Sequence, residues 1–336
     1  MPTARTKPLL PSLAISLVLA GAIGPAAAAQ PSARSFEVFA DGLAGPEGLA
    51  FTSDGRLIVG STTGDLLSFA PDGSSTVLAN LGAPLAGITV LADGRVLATS
   101  VPLGQVFAVT PEGETSVFAD GIGGPNFVVQ TLRGGRILAS ASNSDEIVDI
   151  TDGEPKVVAS GLDFPNGLAT DEGIGGHHLY VALTLAGQIV RLELEPDGSL
   201  GEPELYAEGL TLADGIGFDS AGNLLVVGFG MLWVVDRSGN VAVLSDDPLL
   251  DFPSNLAFGQ GPGFNRRDVY LANFGNAFGN GTDVVRFRYS NTGAPLASSP
   301  SSRAQCSPSG ILRNPQARGG GPIRCVPAIP RRLARN

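Results

Sequence analysis

GPEGLAFTSDGRLIVGSTTGDLLSFAPDGSSTVLAN, residues 45–80, holds four short apolar runs: Gly48–Phe51, Leu57–Ser61, Asp65–Phe69 and Val77–Ala79. Asp54-Gly55 stands between the first two, a pair that favours a tight hairpin turn because glycine accepts positive φ. The pattern recurs along the chain. The run that closes each unit is found at Val38–Ala40, Val77–Ala79, Val117–Ala119, Val157–Ala159, Leu205–Ala207 and Val243–Ser245, with starts 39, 40, 40, 48 and 38 residues apart. A second run follows each: Gly48–Phe51, Gly87–Val90, Phe127–Gln130, Gly167–Thr170, Gly215–Phe218 and Leu256–Phe258. Further runs include Val96–Ser100, Gln105–Val109, Gln188–Leu192 and Leu224–Val227, with turns at Asp93-Gly94, Gly134-Gly135 and Ala221-Gly222-Asn223. Four strands in a unit of about forty residues, repeated six times, predict an all-β fold, a six-bladed β-propeller. No 3.6-residue apolar rhythm supports a helical solenoid. The last unit, ending near Val284–Tyr289, has only three strands of its own. The N-terminal strand at Val38 is expected to complete it and close the ring, which removes exposed sheet edges.

Composition agrees. Of 336 residues, 46 are glycine and only 16% are charged, as suits a turn-rich β protein. The predicted organisation is a signal peptide at 1–29, a propeller at 35–295 and a basic Ser/Pro/Gly/Arg-rich tail at 296–336, read as flexible. Arg5 and Lys7 precede an apolar stretch from Leu9 to Ile23, and Ala26–Ala29 offers a small-residue cleavage site. The competing reading is a membrane anchor, for which the apolar run is short. Export to the periplasm or outside the cell is therefore expected, with no integral membrane segment after cleavage. Cys306 and Cys325 both lie in the tail and either pair, as an oxidising compartment permits, or remain free thiols.

Charge is unevenly placed. Seven of the 21 basic residues fall in 301–336 and two in 1–30, whereas all 32 acids lie in 31–300. A domain so acidic is a poor partner for nucleic acid and a good one for a cation. Nine residues after each repeat start stand Glu47, Ala86, Asn126, Asn166 and Asp214; the matching residue in the longer sixth loop is Asn255. Each precedes the strand expected to be innermost, so five of six blades place a carboxylate or amide oxygen around one channel mouth. That donor set suits a hard divalent cation, calcium foremost, and lacks the Cys and His ligands of zinc or copper. Taken singly, Asn166 and Asp214 also read as turn residues. Asn126 before Phe127, Asn255 before Leu256, and Glu47 do not fit that alternative.

Gly45-Pro46-Glu47-Gly48, Pro165–Ala169 leading to Leu179–Ala182, and Ala213–Ile216 leading to Asp219–Leu224 resemble the SMP-30/gluconolactonase/LRE-like family, and more distantly squid-type phosphotriesterases and paraoxonases. The resemblance covers roughly residues 36–290. It implies that Glu47, Asn166 and Asp214 are metal ligands, that Asn126 is a ligand or substrate contact, and that a lactone or related ester is hydrolysed. Gly124 stands where sugar-lactone hydrolases of this family often carry arginine, and Phe127 where a polar residue is common. A catalytic role is expected for Asp214, as nucleophile or general base, and for Asn126 in orienting the scissile group. The partner expected is a small-molecule substrate of a monomeric enzyme. A non-catalytic binding or scaffold propeller with a structural calcium is the alternative. An antibiotic-inactivating lyase would want a histidine at the channel mouth, and the only histidines, His177 and His178, fall in a hairpin turn of blade four. Thr184, Asn143, Phe229 and Asn273 are candidates for the upper pocket. Trp233 is expected in packing, and Arg266-Arg267 in a solvated loop.

Overall fold

The computed structural model describes residues 35–275 and 279–297. The proposed signal peptide and the tail with Cys306 and Cys325 lie outside the described residues. The rest is a six-bladed β-propeller: 24 strands in six four-stranded antiparallel sheets, with one 3-10 turn at Glu172–Ile174. Five blades use four consecutive strands. The sixth is completed from the other end of the chain, where Phe36–Ala40 pairs antiparallel with Val284–Arg288. Phe36 stacks near Phe287 at 4.7 Å, so the closure is apolar as well as hydrogen-bonded.

The first strand of each blade is innermost. These six are Pro46–Phe51, Ile88–Val90, Pro125–Gln130, Pro165–Thr170, Ile216–Phe218 and Pro253–Phe258. The second strands, such as Leu57–Ser61 and Val96–Ser100, are buried along their whole length because both faces pack on neighbouring blades. Outermost strands instead show exposed valines and leucines on one side, among them Val77, Val117, Val157 and Leu205. Between blades the core is aliphatic and aromatic, and Trp233 is buried in it beside Phe218 and Leu224. Arg266 and Arg267 are exposed.

Small residues narrow the channel, including Ala50, Thr89, Gly217 and Ala257. At the end where the inner strands finish, the chain beyond Arg288 passes beneath blade five. Asn291 donates to the buried Asp219 at 2.8 Å, and Ala294 N–H donates to Phe218 O at 2.9 Å. Ala294, Leu296 and Ala297 then line the channel's lower end, leaving the mouth at the opposite face.

Candidate metal centre

Each inner strand starts at the mouth, so the residue that opens it is carried to the axis by topology. Local backbone geometry then turns it inward. Proline opens four of these strands, at positions 46, 125, 165 and 253, where its missing N–H costs no ladder bond. The register shifts just after each of them, between Pro46 and Leu49, Pro125 and Val128, Pro165 and Leu168, and Pro253 and Asn255. Such bulges re-aim side chains. They contain Glu47, Asn126 and Asn166, whereas in blade six the inserted residue is Ser254 and Asn255 rejoins the ladder opposite Ala272.

Just before all five oxygen-bearing positions the backbone enters the left-handed region. Gly45 (φ 53°), Gly124 (68°), Phe164 (52°) and Leu212 (48°) stand two residues ahead of Glu47, Asn126, Asn166 and Asp214, and Phe252 (48°) stands three ahead of Asn255. In blade two, where Ala86 replaces the oxygen ligand, the corresponding Pro84 has no such conformation. Three of the five are bulky residues, for which positive φ costs roughly 1–3 kcal/mol each and marks functional geometry more often than packing. Gly124, read in the sequence as a missing arginine, is one of the two glycines that take this conformation without strain.

The ring is drawn tight by absent side chains. A Cβ on Gly48 would lie 2.1 Å from Ala86 O, one on Gly87 2.5 Å from Asn126 O, one on Gly167 2.1 Å from Asp214 O, and one on Gly215 2.6 Å from Asn255 Cα. Buried hydroxyls stitch each blade to the next at the same level. Thr99 Oγ1 donates to Asn126 O (2.7 Å), Ser142 Oγ to Pro165 O (2.6 Å), Thr184 Oγ1 to Ala213 O (2.7 Å) and Ser254 Oγ to Glu47 O (3.0 Å). The last of these closes the ring between blades six and one.

Asn126, Asn166, Asp214 and Asn255 are buried, with 8, 4, 7 and 2% of their surface exposed, and Glu47 keeps partial access to solvent. Burial pushes the Glu47 and Asp214 carboxyls well above the usual carboxylate range, and the Asp214 charge raises Glu47 further. The Asn166 side chain hydrogen-bonds the Asp214 carboxylate, which opposes the rise there. Asn126 Oδ1 and Asn166 Oδ1 are buried acceptors without a protein partner. An unsatisfied buried polar atom costs about 1–3 kcal/mol, so two at one mouth require an explanation. Two carboxylates with two free amide oxygens fit a hard divalent cation. Among the described residues no cluster of three or more His, Cys, Asp or Glu could hold a metal, so amide oxygens would have to complete the shell.

Asn255 is arranged differently from the expected oxygen ligand. Its Oδ1 accepts the Leu256 N–H at 2.7 Å, and the unpartnered atom is Nδ2. It therefore offers the mouth a donor. Thr184 and Asn273, read as pocket candidates, are tethers: Thr184 holds Ala213, and Asn273 Nδ2 donates to Leu249 O and Asp283 Oδ1. Asn143 and Phe229 are exposed. The histidines sit at the far ends of their blade, where His178 Nδ1 lies 3.0 Å from Asp171 Oδ2 and His177 Nε2 lies 3.4 Å from Glu193. Ser142, Ser254, Phe164, Leu212 and Phe252 escaped the sequence reading. A serine or threonine near the end of the second strand recurs in several blades and was the available signal for the hydroxyl stitches.

The family described as strictosidine synthase-like, N-terminal, matches residues 35–69. No functionally curated protein matches the chain. Solved structures with the same fold include a gluconolactonase from Xanthomonas campestris, 20% identical over 75% of this chain and 89% of that one, with TM-score 0.63. A luciferin-regenerating enzyme is 14% identical, covering 80% and 99% of the two chains at TM-score 0.64. A calcium-binding protein, regucalcin, from Agrobacterium tumefaciens is 15% identical, covering 79% and 97% at TM-score 0.62. The chain thus has the six-bladed propeller fold of these gluconolactonase, luciferin-regenerating enzyme and regucalcin structures, the group its sequence motifs resemble.

Proposed function

We propose that this protein is an exported, monomeric hydrolase of a lactone or related ester that works with a divalent cation, calcium foremost, at the channel mouth. The observation that carries the reading is the coincidence at one level of two carboxylates, the partly accessible Glu47 and the buried Asp214, with the unpartnered oxygens of Asn126 and Asn166. Glu47, Asn126, Asn166 and Asp214 would hold the ion. A cation bound there polarises a substrate carbonyl and stabilises negative charge developing on its oxygen.

The chain's own groups supply the rest. Asp214 is the base that would take a proton from the attacking water, through a carboxylate oxygen not engaged with the ion. Asn166 fixes the Asp214 carboxylate by hydrogen bonding, as a second group must if the base is to keep one orientation. Asn126 orients the scissile group, and the free Nδ2 of Asn255 is a donor for a substrate oxygen. The similarity to a structure described as a gluconolactonase and to one described as a calcium-binding protein supports this reading. Histidine-based lyase chemistry at the mouth has no candidate residue, since neither His177 nor His178 lies at that face.

The test is hydrolysis of a lactone and aryl-ester panel by the mature protein, with chelator and with calcium restored. Turnover lost to chelator and regained with calcium supports the proposal. No turnover, with calcium still raising the melting temperature, would leave a binding propeller with a structural ion.

A further inference from the structure

Sequence and topology together give the mouth face an unusual chemistry. In each blade the connection into the inner strand and the turn between the second and third strands open on this face. These twelve loops contain nine aspartates and no lysine, arginine or histidine. Seven arginines, Arg56, Arg95, Arg133, Arg136, Arg237, Arg266 and Arg267, lie in loops of the opposite face, where they are mixed with acids such as Asp54, Asp93 and Asp236. The same mouth-face loops expose large apolar side chains: Leu103 (49%), Leu185 (65%), Phe229 (52%) and Leu249 (38%). Most other exposed large apolar residues belong to outermost strands, where a sheet edge accounts for them.

The apolar residues adjoin the metal centre. Leu185 follows Thr184, whose hydroxyl holds the carbonyl next to Asp214. The Phe229 ring lies 6.2 Å from that of Phe252, which leads into Pro253–Asn255, and Phe252 lies 6.5 Å from Phe274. An apolar arc thus spans blades four to six beside Asp214 and Asn255. At the same mouth stand the buried, unpartnered Asn126 Oδ1, Asn166 Oδ1 and Asn255 Nδ2.

We infer that this mouth takes a lactone or ester bearing a hydrocarbon arm and either no charge or a positive one, and that it rejects anionic substrates. The arc supplies area for the arm. The ring of aspartates, with no cation among its loops, repels a carboxylate or phosphate arriving at the channel and attracts an ammonium group, an effect that salt screens. The inference rests on the hydrolase reading for the reacting group alone; the arm and the charge rule follow from the rim.

The test has a kinetic arm and a binding arm, both on the mature protein with calcium present. Matched aryl esters carrying trimethylammonium or carboxylate are compared by kcat/KM at low and high salt. The ammonium ester is expected to lead by about tenfold or more at low salt, with the gap narrowing as salt rises. For lactones with long and short alkyl arms, Phe229→Ser and Leu185→Ser are each expected to lower the long-over-short ratio of kcat/KM by about threefold to tenfold. Both residues are largely exposed, so folding is spared. In the binding arm, calorimetry with alkyl-substituted lactams, which resist hydrolysis, repeats both comparisons without turnover. Lactams bound with the expected arm and charge preference, but no ester cleaved, would sink the hydrolase reading and leave the present inference standing. Carboxylate and ammonium ligands handled alike, no lactam bound, or ratios unmoved by either serine variant would overturn it.

Discussion

Replacing Asp214 by asparagine should change stability in opposite directions with and without the cation. Without it, burial holds the Asp214 carboxyl well above its ordinary range, and Glu47 is raised by burial and by Asp214. The folded state then binds these protons more tightly than the unfolded chain. Ionising both groups at neutral pH destabilises the fold, by about 1.4 kcal/mol for each pKa unit of upward displacement. Asparagine has nearly the same shape, can still accept a hydrogen bond from Asn166, and carries no charge to bury or to repel Glu47. In chelator, the Asp214→Asn variant should therefore melt higher than the parent by a few degrees at neutral pH. With calcium at 100 times its dissociation constant, linkage stabilises the parent by about 2.7 kcal/mol. For a domain of this size that is a rise in Tm of about 5–10 °C, and the variant should lose most of it. Calorimetry or fluorescence-monitored melting in chelator and in a calcium series reads both effects. A variant that melts lower than the parent in chelator, with its calcium response intact, would refute the reasoning: Asp214 would then be a structural hydrogen-bonding group outside any ion site.

The same linkage fixes a pH dependence. Because both carboxyls are raised in the folded state, the chelated protein should lose stability as pH rises from the ordinary carboxylate range through the folded-state values, whereas calcium-loaded protein should not; melting curves across that range compare the two. Calcium affinity should weaken on acidification beginning above the ordinary carboxylate range, since the ion must displace tightly held protons, as titration calorimetry at several pH values would show. Gly167→Ala would put a methyl 2.1 Å from Asp214 O; the blades must part, so a loss of about 1–3 kcal/mol in denaturant unfolding and a higher calcium half-saturation are expected. Ser254→Ala removes the hydroxyl that joins blade six to Glu47 O and should cost about 1 kcal/mol, read as a Tm lower by about 2–4 °C. His178→Gln, at the opposite face, should leave lactone turnover as it is.

Much of the fold was legible because a propeller repeats its local instructions. Leu57–Ser61, Asp65–Phe69, Val96–Ser100 and Gln105–Val109 are strands over the lengths their apolar runs predicted. The surplus N-terminal strand paired where the incomplete last unit required it. Four inner strands began earlier than their apolar runs, at Pro46, Pro125, Pro165 and Pro253. Proline reads as a strand breaker, yet at the first position of a strand its missing donor is harmless. At the candidate metal centre, one offset across the repeats singled out Glu47, Asn126, Asn166 and Asp214, the longer sixth loop added Asn255, and topology carries all five to one channel mouth.

What the sequence determined by itself was the unit, its number, the closure of the ring and the chemical type of each residue at the mouth, because those depend on patterns within about forty residues. Only the tertiary structure decided which of those residues keep a free oxygen. Asn166 spends its amide N–H on Asp214, while Asn255 spends its oxygen on Leu256 N–H and is left with a donor. It also decided that Thr184 and Ser254 are stitches between blades. Phe164, Leu212 and Phe252 enter a left-handed backbone that their own side chains disfavour. The stitches join one blade to the next, across 29 residues for Thr184 and Ala213 and 207 for Ser254 and Glu47. No local preference encodes that distance; the packed ring imposes it.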